Sequence, residues 1–382
     1  MIRILHTADW HLGREFHGRD LTEPHLAFFE WLAEQVEARE VDLVLMAGDI
    51  YDRALPPVGA IDLFNRQVAR LTDLAEVVLI TGNHDSVVRM SHGPLLRPNL
   101  HLRSGLEGLG SPVMVERDFP LAVYPIPYLD PVTMASELDL DASTHTAVLG
   151  EAVRRCHEDL EARGGGRSIA IAHAFVAGAV ESESERSIQV GGSENVTADL
   201  FDGFDYVALG HLHRPQSVGP NLRYAGSPIP LSYSEVGVGA PKSVTLLELT
   251  AEGELTQTPI EIPQPVTMER LRGTLDELLT DPRFDPSREN WLEVTLTDET
   301  RPDQPMERLR SRFENVVNLR FEAPLAGVDP EEAVKLAEIA EADPAALVAS
   351  FVEEVKGVPP NEAEHALIRE ALDHRAGEET VS

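Results

Sequence analysis

The chain of 382 residues has a single cysteine, Cys156. One thiol excludes an intrachain disulfide framework and suits a reducing compartment, and its place in a helical pattern makes it a packed side chain. Long apolar runs are missing too. No stretch approaches the roughly 18 apolar residues of a membrane span, so no membrane partner is expected. The opening Met1-Ile2-Arg3-Ile4-Leu5-His6-Thr7 carries charge and histidine where a secretion signal would be apolar; it reads as a strand. A cytoplasmic protein is the expectation. Basic residues are scarce: 32 Lys and Arg against 65 Asp and Glu give a net charge of −33. That argues against a broad basic groove that coats nucleic acid. Phosphate held at a local cationic site is still allowed, because exposed charges are screened beyond about 8 Å at physiological salt. Part of the acidity lies near the end, where residues 325 to 382 hold 4 basic against 14 acidic side chains.

What the chain does have is one pattern used five times: an apolar strand followed at once by residues that bind metals. The organising stretch is Leu43-Val44-Leu45-Met46-Ala47-Gly48-Asp49-Ile50-Tyr51-Asp52. Its apolar run reads as a buried parallel strand, and Asp49 stands where open α/β sheets place their ligands. The others are Asp9-Trp10-His11, Gly82-Asn83-His84-Asp85, Ala172-His173 and Gly210-His211-Leu212-His213. Each alone would pass for a turn. Five converging on one sheet edge point to a site.

Between these strands the apolar spacing predicts helices over 23–39, about 57–72 and about 144–163, the last stopped by Gly164-Gly165-Gly166. Strands alternating with amphipathic helices indicate a mixed α/β core. Residues 86–143 give only weak signals of further strands and loops. Residues 178–195, rich in Ser, Glu and Gly, read either as a solvated loop or as a lid. Three prolines between Pro259 and Pro265 suggest a domain boundary. Beyond it, a helix over 267–279, a strand over 291–296, a helix over 305–314 and a strand over 317–321 would form a small α+β unit. Two helices follow, one opening at Asp329-Pro330-Glu331, the other at Asn361 with Glu364 as its capping-box partner. Their apolar residues, among them Val334, Phe351 and Leu367, need a partner surface. The resulting division is residues 1–258, 259–325 and 326–382.

The ligand types are carboxylate, imidazole and carboxamide without thiolate, which suits manganese, iron or zinc. Residues i and i+2 of an extended segment face the same way, so Asp9 with His11, and His211 with His213, can each aim two side chains at one volume. Asp9, His11, Asp49, Asn83, His84, His173, His211 and His213 exceed what one ion takes. Two ions follow if a carboxylate bridges them, and Asp49 is the natural bridge. Such a pair binds a phosphate and activates water, so no Ser or Cys nucleophile is needed. One histidine remains to protonate the leaving alkoxide.

In this order, the segments resemble the calcineurin-like metallophosphoesterase superfamily over about residues 1 to 250. Asp9-Trp10-His11-Leu12-Gly13, Gly48-Asp49-Ile50-Tyr51-Asp52, Gly210-His211-Leu212-His213 and Ala225-Gly226-Ser227-Pro228 further resemble its bacterial relatives of the meiotic recombination eleven nuclease. The resemblance implies an α/β fold, a four-layer β-sandwich flanked by helices, with a capping domain and a C-terminal helical pair. It implies Asp9, His11, Asp49 and His213 on a first ion, and Asp49, Asn83, His173 and His211 on a second. His84 would be the acid, paired with Asp85. Manganese-dependent cleavage of DNA, a homodimer, and an SMC-like ATPase bound by the terminal helices are implied as well. Asp52 departs from the pattern, standing where archaeal and eukaryotic relatives carry His. Two rival readings remain. One is a phosphoprotein phosphatase or small-molecule phosphodiesterase of the same fold: Asp49-Ile50-Tyr51-Asp52-Arg53 partly resembles the phosphatase signature, although Ala54 replaces its final Gly and Asp85 stands where phosphatases have Glu. The other is a noncatalytic scaffold between DNA ends and an ATPase.

Overall fold

The computed structural model describes residues 1–90, 97–185, 196–237 and 239–322, and beyond them only 348–349, 352, 356, 358, 360–361, 364–365 and 367. Strands that are apolar at nearly every position need both faces covered. Ile2–Thr7, Leu43–Ala47 and Glu76–Ile80 are of this kind and pair in parallel. Their six-stranded sheet runs, in spatial order, Leu255–Glu261, Ser243–Leu249, Ile2–Thr7, Leu43–Ala47, Glu76–Ile80 and Leu100–Arg103. A second six-stranded sheet runs Gln216–Ser217, Leu222–Tyr224, Tyr206–Gly210, Arg167–His173, Pro120–Ile126 and Val113–Glu116.

The two sheets pack face to face through Ile4, Leu45 and Ile80 on one side and Val123, Ile171 and Ala208 on the other. Helices Thr22–Ala38 and Val58–Leu74 cover the outer face of the first sheet, burying Phe28, Phe29, Leu63 and Phe64 with Val44 and Leu79. Helix His145–Ala162, N-capped by the Thr144 side chain, covers the second with Val148, Ala152 and Cys156 against Ala170 and Tyr124. The result is the layered α/β fold expected, helix on sheet on sheet on helix. A fully buried Leu, Ile or Phe contributes about 1.5–3 kcal/mol. The layer between the sheets therefore supplies stability that strained loops at its end can draw on. Cys156 is fully buried, and burial pushes its thiol up to about 12.

Four expectations are corrected. The ligand-bearing strands do not share one sheet edge: Ile2–Thr7, Leu43–Ala47 and Glu76–Ile80 lie in the first sheet, Arg167–His173 and Tyr206–Gly210 in the second. The helix expected over 267–279 is strand Met268–Gly273 followed by helix Leu275–Thr280. Parallel pairing with Trp291–Leu296 overrides the helical spacing of the first half, and the Thr274–Glu277 capping box starts the real helix. Pro259 is not in a linker but in edge strand Leu255–Glu261, where a missing N–H is tolerated. The helix read over 305–314 is shorter, Pro305–Arg310.

Strands Met268–Gly273, Trp291–Leu296 and Val316–Phe321 form a small three-stranded sheet. Two compact units are distinguished: Met1–Leu296 with Pro302–Arg320, and Thr297–Arg301 with Phe321–Ser382. The helices expected from Asp329 lie mostly outside the described residues, as do residues 186–195 of the loop between the last two ligand strands. Among the described residues no helix is long and apolar enough to cross a membrane.

Candidate metal centre

The loops after the first two ligand strands are zipped together by their backbones. The N–H groups of Asp9, His11 and Leu12 donate to the carbonyls of Gly48, Asp49 and Ile50 at 3.0, 3.0 and 2.9 Å. In these turns Asp9, His11 and Asp49 take φ of 52°, 46° and 50°, and His211, in the loop after Tyr206–Gly210, takes 107°. Each such conformation costs a non-glycine residue about 1–3 kcal/mol and persists only when its surroundings hold it. Two glycines allow the sheet ends to meet. A Cβ on Gly82 would run into the Asp49 carboxylate, and one on Gly210 would strike the Ala47 carbonyl oxygen.

The eight expected residues come together where the two sheets end. Asp49 Oδ2 lies 3.4 Å from His173 Nε2, 3.6 Å from His11 Nε2 and 3.9 Å from His84 Nε2. On one side of it the Nε2 atoms of His11 and His213 are 3.0 Å apart. On the other, Asn83 Oδ1 lies 2.9 Å from His173 Nε2 and 3.3 Å from His211 Nδ1. Asp9 Oδ1 accepts from the His211 N–H at 2.9 Å, while its Oδ2 is buried with no hydrogen-bond partner among the described residues.

Burial and charge pull these groups apart. Burial raises Asp9 well above the usual carboxylate range. Asp49 is equally buried, but His173, His84 and His11 outweigh that and hold it well below. For His173 burial favours the neutral ring, yet Asp49 and Asp9 raise it to about 9. Its two nitrogens face oxygens accordingly, Ala47 O at 2.9 Å and Asn83 Oδ1. Desolvation lowers His11 to about 4, His211 to about 3, and His213 well below its ordinary value, so these rings are neutral donors.

The pairing of His84 with Asp85 is not formed. Asp85 instead accepts from the N–H groups of Ile50, Tyr51 and Gly82 at 3.1, 2.9 and 2.9 Å, binding one ligand loop to the next. His84 Nδ1 meets the Asp52 carbonyl at 2.6 Å, which leaves its Nε2 toward Asp49. Sequence reading also missed side chains around the ligands. Asp52 Oδ1 lies 3.6 Å from His11 Nδ1 and accepts from Arg14 at 3.2 Å, and Ser184 Oγ lies 2.6 Å from His213 Nδ1. Asp52 closes the organising stretch, which was its signal; Ser184 had only its place in the segment read as a loop or lid.

Three triads, Asp9-His11-Asp49, Asp49-His173-His211 and His11-Asp52-His84, each bring their ligand atoms within 4.8 Å of one another. Buried imidazole lone pairs, an unpartnered carboxylate oxygen and no thiolate make a donor set that fits divalent cations.

Residues 2–215 match the family described as calcineurin-like phosphoesterase. The D subunit of nuclease SbcCD from Staphylococcus saprophyticus is 30% identical over 325 residues, which are 83% of this chain and 84% of that protein. The chain belongs to the calcineurin-like phosphoesterases, as an SbcD-type nuclease. This SbcD-type phosphoesterase is a metal-dependent hydrolase of phosphodiesters, and membership of the family implies divalent metal ions. Residues 264–356 match the family described as type 5 capsule protein repressor C-terminal domain. A solved structure of GAP50, the anchor in the inner membrane complex of Plasmodium, covers 85% of this chain and 98% of its own, at 10% identity and a TM-score of 0.39, a likeness too weak to carry an argument.

Proposed function

We propose that this nuclease is a two-metal DNA phosphodiesterase, with Asp9, His11, Asp49 and His213 on one ion and Asp49, Asn83, His173 and His211 on the other. The observation that carries the reading is the place of Asp49 Oδ2, between two histidine groups at 3.4 and 3.6 Å. Manganese is the proposed metal. When bound, the two ions supply Lewis-acid polarisation of the phosphate and lower the pKa of attacking water. The chain's own residues do the rest. His84 Nε2, facing the site, gives a proton to the leaving alkoxide, and the Asp52 carbonyl at its Nδ1 holds the ring for that transfer. The Asp85 carboxylate holds the Asp49 and Asn83 loops at fixed spacing.

A cavity of about 280 Å³ adjoins the site, lined by Arg14, Phe16, Ser184, Tyr233, Glu293 and Arg320 among others. Arg14 and Arg320 there are paired with Asp52 and Glu293, and Glu15 and Glu183 line it too, so in a chain of net charge −33 the positive field for a DNA backbone comes from the bound ions and the partner. In this reading the enzyme acts as double-strand exonuclease and single-strand endonuclease in DNA break processing, repair, recombination and replication. It works as a homodimer in the cytoplasm at the nucleoid. The division into a nuclease domain, the three-stranded cap and terminal helices that bind an SbcC-type SMC-like ATPase belongs to the same proposal, supported by the relative's name as one component of SbcCD.

The test is digestion of linear duplex DNA by the full chain with manganese. Release of nucleotides that stops on chelation is expected; hydrolysis of a phosphopeptide with DNA left intact would support the phosphatase reading instead. Deleting residues 329–382 should leave metal content unchanged and abolish co-purification with the ATPase; unchanged co-purification would remove the tail from that role.

A further inference from the structure

His213 is held at both ends by a closed circuit of buried groups. Its Nδ1 lies 2.6 Å from Ser184 Oγ, and Ser184 Oγ lies 2.6 Å from Glu235 Oε1. Glu235 Oε2 pairs with Lys242 Nζ, and Lys242 Nζ donates back to the His213 carbonyl and to Ser227 Oγ, each at 2.7 Å. The side chains of Glu235 and Lys242 are 0% and 6% exposed. Neither family match reaches these two residues, which fall between residues 215 and 264.

Counting protons along the circuit fixes its direction. A carboxylate paired with an ammonium only accepts, so the single Ser184 hydroxyl hydrogen goes to Glu235. Ser182 Oγ lies 2.8 Å from Ser184 Oγ, but its own hydrogen is directed at Glu185 Oε2, 2.6 Å away, so it has none to give Ser184. Toward His213, Ser184 can then only accept. The His213 proton must sit on Nδ1, which leaves Nε2 as a lone pair facing His11. Glu185 Oε1 completes the hold by accepting the His213 N–H at 2.8 Å.

We infer that Ser184, Glu235 and Lys242 are positioning residues that lock His213 in its Nδ1–H tautomer and so set the affinity of the ion on the His11–His213 side. This rests on the two-ion reading of the site. Removing the Ser184 hydroxyl frees the ring to rotate or to place its proton on Nε2, where it blocks a cation. Outer hydrogen-bond partners of this kind typically carry about 10–100-fold in metal affinity. A circuit that served only to hold the fold together would leave the two ions equally affected.

The experiment titrates Mn²⁺ into the full chain and its Ser184→Ala and Ser184→Thr variants, counting free ion by electron paramagnetic resonance. Melting of the metal-free proteins is followed alongside. The expected result is about 10–100-fold weaker binding of one ion in Ser184→Ala, an unchanged second ion, and recovery in Ser184→Thr, which keeps the hydroxyl. Equal weakening of both ions, no weakening, or a threonine variant as poor as alanine would overturn the inference. Nitrogen-15 shifts of the His213 ring in the metal-free wild-type chain read the tautomer without any substitution. Protonated Nδ1 is expected, and protonated Nε2 would contradict the relay. A wild-type chain that binds fewer than two ions would refute the two-ion reading, while the tautomer measurement would still judge the relay.

Discussion

On one side of Asp49, His11 and His213 bring their Nε2 atoms within 3.0 Å of each other; on the other, His173 and His211 both meet Asn83 Oδ1, at 2.9 and 3.3 Å. The first side holds neutral rings, with at most one proton between their facing nitrogens. The second is already knitted by hydrogen bonds and carries a proton on His173, which Asp49 raises to about 9. The same residue types therefore prepare two sites differently. A cation on the His11 side meets neutral rings, one hydrogen bond between them, and the raised Asp9 carboxyl. One on the His173 side must first break hydrogen bonds and expel a proton.

The most drastic way to break the comparison is to remove what both sides share. Asp49→Ala should lose both ions and, with several kcal/mol of metal stabilisation gone, about a thousandfold or more in DNA hydrolysis. Two ions still found by metal analysis would refute the bridge. His84→Ala tests the group that belongs to neither side: both ions should stay, while kcat falls at least about a hundredfold. A wild-type rate would remove His84 from the chemistry.

A smaller effect separates the sides by pH. His173 is raised to about 9, so it is protonated below that pH and must be neutral to bind metal. Affinity for the ion beside His173 should thus fall by about tenfold for each unit below pH 9, with close to one proton released from that ring at neutral pH, while the ion on the other side meets neutral rings and discharges only the raised Asp9 carboxyl. Calorimetry in buffers of different ionisation enthalpy measures the release; none on filling of the His173 side would erase the difference. The mildest change lies behind both sides. Asp85→Asn deprives one or two of three backbone N–H groups of their acceptor, and should lower stability by about 1–3 kcal/mol in denaturant unfolding. Both affinities should shift together, and a shift in one alone would assign Asp85 to that side.

Each ligand in this account was readable because it follows an apolar strand within a few residues, so strand and ligand are a local pattern. The assignment of strands to sheets was not. Ile169–Ala172 and Leu43–Ala47 are equally apolar, and nothing within either run says that it pairs in a different sheet; that choice is made by distant packing partners. The strand Met268–Gly273 was misread for the same reason, since its pairing partner Trp291–Leu296 lies well downstream. Asp85 is given to His84 by the family resemblance, whereas the backbone N–H groups that satisfy Asp85 come mainly from residues 50 and 51. The positive φ of Asp9, His11, Asp49 and His211 has only a weak signature, since Asp and His tolerate it better than most side chains. The Ser184–Glu235–Lys242 circuit has none, its members being 51 and 7 residues apart.

Anomalous scattering at the manganese edge from a crystal soaked in Mn²⁺ addresses the central claim most directly. Two peaks flanking the Asp49 carboxylate are expected, one beside His11 and His213, the other beside His173 and His211. A single peak, or manganese bound only away from these histidines at saturating concentration, would contradict it.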